Sequence, residues 1–119
     1  AMDVSVQSVV GNQAEVRVAG AINQAQFSVT TEPLAQALGP QAYSQQVLLD
    51  LSASEMLDSS GVNWLLIIHR RTRESGGRLI LHSLPPLVEN VLKVLRMTLV
   101  FEIADDLAAA RQLVAGVAS

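Results

Sequence analysis

The chain contains no cysteine. That removes both a disulfide framework and a thiolate metal site, and it fits a reducing cytoplasm. No apolar run approaches the roughly 20 residues needed to cross a bilayer. No basic segment stands before a signal-like apolar core, so membrane insertion is not expected. Gly-x-Ser-x-Gly, the P-loop and the Gly-rich dinucleotide fingerprint are all missing. Aromatic residues make up only 3 % of the sequence, and the formal net charge is −3. An acidic balance gives no electrostatic reason to expect nucleic-acid binding. What is present is apolar: half of the 119 residues are hydrophobic. That length predicts one domain, residues 1–119 with a core from about 3 to 114, large enough to bury a real interior. Ala1 ahead of Met2 reads as a residue left over from expression.

The organising stretch is Val47–Gly77, VLLDLSASEMLDSSGVNWLLIIHRRTRESGG. Val47–Leu51 reads as a buried strand, followed by a polar link and Met56-Leu57. At Asp58-Ser59-Ser60-Gly61 a helix opens. Asp58 is a strong N-cap, because its carboxylate can accept from an orphan backbone N–H. Ser59 and Ser60 then fall in the first turn, at the positive end of the macrodipole. A phosphate on Ser59 would add about −1.5 to −2 charges there without melting the helix. A capped helix start whose serines do nothing else is the plain alternative.

The helix from Val62 to Ile68 is apolar nearly all round, so it is either buried on several sides or exposed to a partner. Trp64 stands off the stripe formed by Val62, Leu65 and Leu66. It is either core or an interface anchor. His69-Arg70-Arg71-Thr72-Arg73 places cations at the helix C-terminus, where they are favoured, and Gly76-Gly77 makes the turn.

Upstream, Asp3–Val10 and Ala14–Val18 alternate around Gly11-Asn12, which predicts a hairpin ending at Gly20. Thr30-Thr31-Glu32-Pro33 reads as a helix opening and Gly39-Pro40 as its stop. Downstream, Arg78–His82 reads as a strand. Ser83 and Pro85-Pro86 open a helix with Leu87, Val91 and Leu95 on one face and Val88 and Leu92 beside them. Leu99–Ile103 reads as a last strand, and Asp105 or Asp106 caps a final helix to Val114. This alternation predicts an α/β fold: a mixed sheet of about five strands with about four helices around it.

The series from Val47 onward resembles the STAS domain, the anti-sigma factor antagonist family. An apolar strand ending Asp50-Leu51, the tetrad Asp58-Ser59-Ser60-Gly61, an apolar helix, Gly76-Gly77, and Ser83-Leu84-Pro85 occur in that order. Val100-Phe101, Ile103 and Asp105-Asp106-Leu107 continue it. The resemblance implies that Ser59 is a phosphoacceptor. Asp58, Ser60 and Gly61 would shape its surroundings and, with Asn23, contribute to partner binding, joined by Trp64 if that residue is an interface anchor. It implies two partners: an anti-sigma factor that is also a serine kinase, and a serine phosphatase that resets the switch. One departure is visible. Where the family carries Gly-Glu-Leu-Asp, this chain has Gly20-Ala21-Ile22-Asn23, so both acids are missing. A STAS adaptor subunit of an ABC-type lipid-transport ATPase or other regulatory complex is therefore a second reading. The family also has a glycine near Arg96, and its replacement predicts a different helix exit there, such as a longer helix.

An enzyme is not expected. A serine hydrolase needs an activated nucleophile with a base and an orienting group. His69 lies about 15 Å along the helix from Ser59 by helical rise. His82 stands alone at a strand end, as a surface or satisfied residue. Asp50, Glu55 and Asp58 have only generic spacing for a magnesium site. No cofactor or metal is predicted.

Overall fold

A computed structural model describes residues 2–22 and 32–116. The elements are β1 (Asp3–Val10), β2 (Gln13–Ile22), α1 (Pro33–Leu38), β3 (Gln46–Leu57), α2 (Ser59–Glu74), β4 (Arg78–His82), α3 (Pro86–Val94), β5 (Glu102–Ala104) and α4 (Leu107–Val114). Short 3-10 turns at Ala42–Ser44 and Met97–Leu99 join them. The five strands form one sheet in chain order. β1 and β2 are antiparallel, as the tight turn at Gly11 requires. The pairs β2–β3, β3–β4 and β4–β5 are parallel, as helical crossovers require. The expected α/β class, a five-stranded mixed sheet with four α-helices among the described residues, is what the chain adopts.

Alternation along the central strands separates two cores. Val47, Leu49 and Leu51 of β3 join Leu79 and Leu81 of β4 under α1, α2 and α3, with Leu34, Leu38, Trp64, Leu65, Ile68, Val88 and Leu92 in the same cluster. Leu48 and Ile80 point the other way and meet Ala104 and Ala110, under α4. Three helices thus cover one face, and α4 packs the other.

Several boundaries differ from expectation. β3 does not stop at Leu51. It continues through Ser52-Ala53-Ser54-Glu55 to Leu57, because β2 continues beside it past Gly20. Ala21 and Ile22 pair with Met56 and Leu57, so they are strand rather than turn. The register slips on both sides of Gly20, where φ is +84°. The last strand is Glu102–Ala104, and the Met97–Leu99 segment is a 3-10 turn. In α3 the buried stripe is Val88 and Leu92, whereas Leu87 is 61 % exposed. That helix is not lengthened by the missing glycine. It ends at Val94, and Arg96 takes the left-handed conformation itself, at φ 59° and ψ 25°. Ser83 also has a positive φ, and it is Pro85 that occupies the N-cap position of α3. Thr30 and Thr31 lie outside the described residues. Glu32 is the N-cap of α1, with Pro33 in its first turn.

Candidate functional site: the start of α2

β3, the central strand, delivers the chain to Asp58 at the C-terminal end of the parallel strands, and α2 begins at Ser59. Asp58 is the N-cap, as expected. Its Oδ1 accepts from the Gly61 backbone N–H at 2.8 Å and from the Ser60 hydroxyl at 2.7 Å. The Ser60 hydroxyl bond, then the Gly61 N–H bond, hold the Asp58 carboxyl below the usual carboxylate range. The carboxylate is therefore ionised beside the helix start. Ser59 is exposed, whereas Ser60 is half-buried with its hydroxyl committed to Asp58. The geometry thus distinguishes the two serines: Ser59 offers an accessible hydroxyl, and Ser60 helps build the cap.

Gly61 is buried, and the reason is close approach. A Cβ there would lie 2.0 Å from the Ile22 carbonyl oxygen and 2.8 Å from Leu57 Cδ1. Only a residue without a side chain lets α2 sit this near the end of β2. That contact fixes how far Ser59 stands from the C-terminal end of β2. Asn23 follows directly on Ile22 but lies outside the described residues.

Trp64 is not a surface anchor. It is 0 % exposed, and the expectation of direct partner contact from its side chain is corrected to core. Its Nε1 donates to Glu32 Oε1 at 3.2 Å. Glu32, only 1 % exposed, also accepts from the backbone N–H groups of Leu34 at 2.5 Å and Ala35 at 3.2 Å. Its Oε2 takes a short hydrogen bond from the Tyr43 hydroxyl. That hydroxyl in turn accepts from Arg71 Nη1 at 3.0 Å, and the Arg71 guanidinium stands 5.4 Å from the Tyr43 ring centre. Burial, then the Glu32 bond, push Tyr43 up to about 12, so the phenol remains a donor. This network ties α1 to the inner face of α2. The sequence reading missed Glu32 because Glu is not a usual cap and its partners are distant in the chain. Its place directly before Pro33 was the one available signal.

The two histidines do not serve the tetrad. Neither hydrogen-bonds Ser59 or Ser60. Both ring nitrogens of His69 are buried without a hydrogen-bond partner, and the ring stands edge-on to Phe101 at 5.4 Å. His82 is 2 % exposed, and its Nδ1 pairs with the Ser83 hydroxyl at 2.9 Å. Asp50 is engaged by Arg17 at 3.3 Å and by the Ser52 N–H at 2.8 Å. Among the described residues no cluster of His, Asp or Glu side chains has the grouping of a metal site.

The helix start thus presents an exposed hydroxyl, Ser59, beside an ionised carboxylate, Asp58. The profile of the family described as "Mlab, STAS domain" matches residues 5–102. Among solved structures, a candidate anti-sigma factor antagonist from Thermotoga maritima is 21 % identical, with a TM-score of 0.75 over 88 % of this chain and 89 % of that one. An anti-sigma factor antagonist from Mycobacterium paratuberculosis is 23 % identical, with a TM-score of 0.68 over 95 % and 93 %. The anti-sigma factor antagonist SpoIIAA in its unphosphorylated form is 20 % identical, with a TM-score of 0.69 over the full length of both. At such identities the structural likeness establishes the shared fold. The match to the family profile, covering most of the chain, goes further: this protein belongs to the STAS domain family.

Proposed function

We propose that this STAS domain is an anti-sigma factor antagonist controlled by phosphorylation of Ser59. Unmodified, it binds and sequesters an anti-sigma factor that is also a serine kinase. The kinase then transfers a phosphoryl group to the Ser59 hydroxyl, and a serine phosphatase removes it. The exposed Ser59 hydroxyl at the capped start of α2 carries this reading. Phosphorylation adds a group of about −1.5 to −2 charges one residue from the ionised Asp58 carboxylate. At an interface centre that charge brings repulsion and desolvation, and affinity falls by roughly 100-fold. ATP-dependent phosphorylation places the exchange in the cytoplasm.

The test pairs the purified chain with the serine kinase that it captures, in the presence of ATP. Mass spectrometry is expected to find the phosphate on Ser59, and Ser59→Asp is expected to weaken the complex. Phosphate only on other residues would reject the assignment, as would full-strength binding by Ser59→Asp.

A second reading has its own support. The matched profile carries the Mlab description, and Ala21 replaces one of the acids expected near the phosphoacceptor. In that reading the domain is an adaptor subunit of an ABC-type lipid-transport ATPase. Capture of such an ATPase instead of a kinase decides between the two.

A further inference from the structure

The outer face of α2 is neither core nor ordinary surface. A groove of about 870 Å³ runs along it, with Asn63, Leu66, Ile67, Arg70 and Arg73 on one wall and Val100 on the other. At 100° per residue, Ser59 and these five helical residues fall within an arc of about 120°. The exposed hydroxyl therefore heads the same stripe that lines the groove. From Asn63 to Arg73 the stripe is about 15 Å long, three helical turns.

Two features identify what fits. Leu66 and Ile67 are partly buried, Leu66 with one side packed against the main core, whereas Val100 is 41 % exposed and Leu99 beside it is 85 % exposed. The floor is thus apolar and partly open. The cations along it also differ from most of the others, although Arg96, outside the groove, likewise forms no ion pair with a described residue. Arg17, Arg78, Lys93 and Arg111 each ion-pair with a carboxylate of this chain. Arg71 bonds Tyr43 on the inner side. Arg70 and Arg73 form no ion pair with any described residue, although acids outnumber bases by 11 to 8. Unmatched arginines above an apolar floor on an acidic protein are complementary to a segment that is apolar on one side and acidic beside it.

We infer that this groove receives an amphipathic, acidic helix of the partner protein, laid along α2 with its apolar stripe on Leu66, Ile67 and Val100 and its carboxylates on Arg70 and Arg73. The inference rests on the reading of the chain as a partner-binding module. It adds the chemistry of the segment bound. Glu74 at the far end of the groove favours a basic residue at that end of the partner helix.

The probe is a synthetic helical peptide with leucines at i, i+3, i+4 and i+7 and flanking glutamates, labelled for anisotropy. Its control carries lysines for the glutamates. The acidic peptide is expected to bind the full chain at least 10-fold more tightly than the basic one. The doubly substituted Arg70→Glu, Arg73→Glu chain, checked for folding by circular dichroism, is expected to reverse that order. Backbone amide shifts are expected on residues 63–74 and 97–101. Equal binding of the two peptides, no binding, or shifts confined elsewhere would overturn the inference. So would a dimer in sedimentation velocity that Leu66→Glu dissolves, because a second copy would then own the face. The doubly substituted chain also separates this inference from the function proposed above. If it keeps full affinity for the kinase or ATPase, the groove fails and the function stands. If Ser59 is never phosphorylated while the peptide binds as expected, the reverse holds.

Discussion

Replacing Gly61 with alanine is expected to destabilise the fold, against the usual direction for a helical glycine. In an exposed helix interior the change stabilises by about 0.8–1 kcal/mol. Here the new methyl would stand 2.0 Å from the Ile22 carbonyl oxygen, 2.7 Å from its carbon and 2.8 Å from Leu57 Cδ1. The leucine can rotate away. The carbonyl cannot, since Ile22 is buried and paired with Leu57 in the β2–β3 ladder. Ordinary contact begins at 3.4 Å, so the start of α2 must retreat by about 1.4 Å. Overpacking of this kind costs about 1–3 kcal/mol, and a rigid neighbour puts it at the upper end. After the gain in helix propensity, a net loss of about 2 kcal/mol remains. With an unfolding entropy of about 2.1 cal/mol/K per residue, that is a fall of about 8 °C in Tm. Differential scanning calorimetry of Gly61→Ala beside Ser59→Ala makes the comparison, because Ser59 is exposed and its truncation should cost little. The same retreat moves Ser59, so the proposed phosphoryl transfer to it should also slow. A Tm for Gly61→Ala equal to or above that of the parent would refute the close-approach argument.

Three further outcomes follow from the packing. Glu32→Ala leaves four donors without their acceptor: Trp64 Nε1, the Tyr43 hydroxyl and the N–H groups of Leu34 and Ala35. A loss of at least about 3 kcal/mol is expected in urea unfolding, against about 1 kcal/mol for Trp64→Phe at the same network. Arg96→Gly removes a left-handed non-glycine residue, which costs about 1–2 kcal/mol, while adding glycine's unfolded-state entropy. The net gain should be about 0.5–1 kcal/mol, read as a Tm higher by about 2–4 °C. Burial holds His69 and His82 below the ordinary imidazole value of 6.5. The native state then binds fewer protons than the unfolded chain. Their contribution is complete above about pH 6.5 and is lost as the pH falls below it. The lowered carboxylates act in the same direction, but only below their ordinary values of 4.5 and 3.8. Urea midpoints between about pH 7 and pH 5 should therefore fall, and the slope should flatten in a His69→Phe, His82→Gln double variant.

The parts of this fold that were legible in the sequence are those set by neighbouring residues. Asp58 capping α2, Pro33 opening α1, one of Asp105 and Asp106 capping α4 and Arg78–His82 as a strand all depend on chemistry within a few positions. What escaped depends on residues far along the chain. Glu32 finds Trp64 after 32 residues and Tyr43 after 11. The polar run Ser52–Glu55 reads as a loop until β2 is seen beside it. On α3 both adjoining stripes are apolar, so composition cannot choose between Leu87 and Val88. The groove was half legible: the all-round apolar character of α2 left burial on several sides and an exposed apolar side as alternatives. Only the fold shows that Trp64 is wholly buried while Leu66 and Ile67, partly buried, line the groove.

This division of α2 bears on how a switch at Ser59 would operate. The inner face is fixed twice over, by the Gly61 approach to Ile22 and by the Trp64–Glu32 hydrogen bond. The cap at Asp58 forms through Oδ1 with groups beyond Ser59, so esterifying Ser59 breaks none of its bonds. A modification displaces a helix only by favouring the displaced state over the native one. A phosphate at this helix start gains nothing by moving it, because the N-terminal dipole already accommodates the charge. The proposed switch therefore works without remodelling the domain: the added charge changes what the outer stripe can accept. That stripe is continuous from Ser59 to Arg73. One small covalent change at its head can thus weaken contacts along a surface several turns long, with the sheet beneath left as it was.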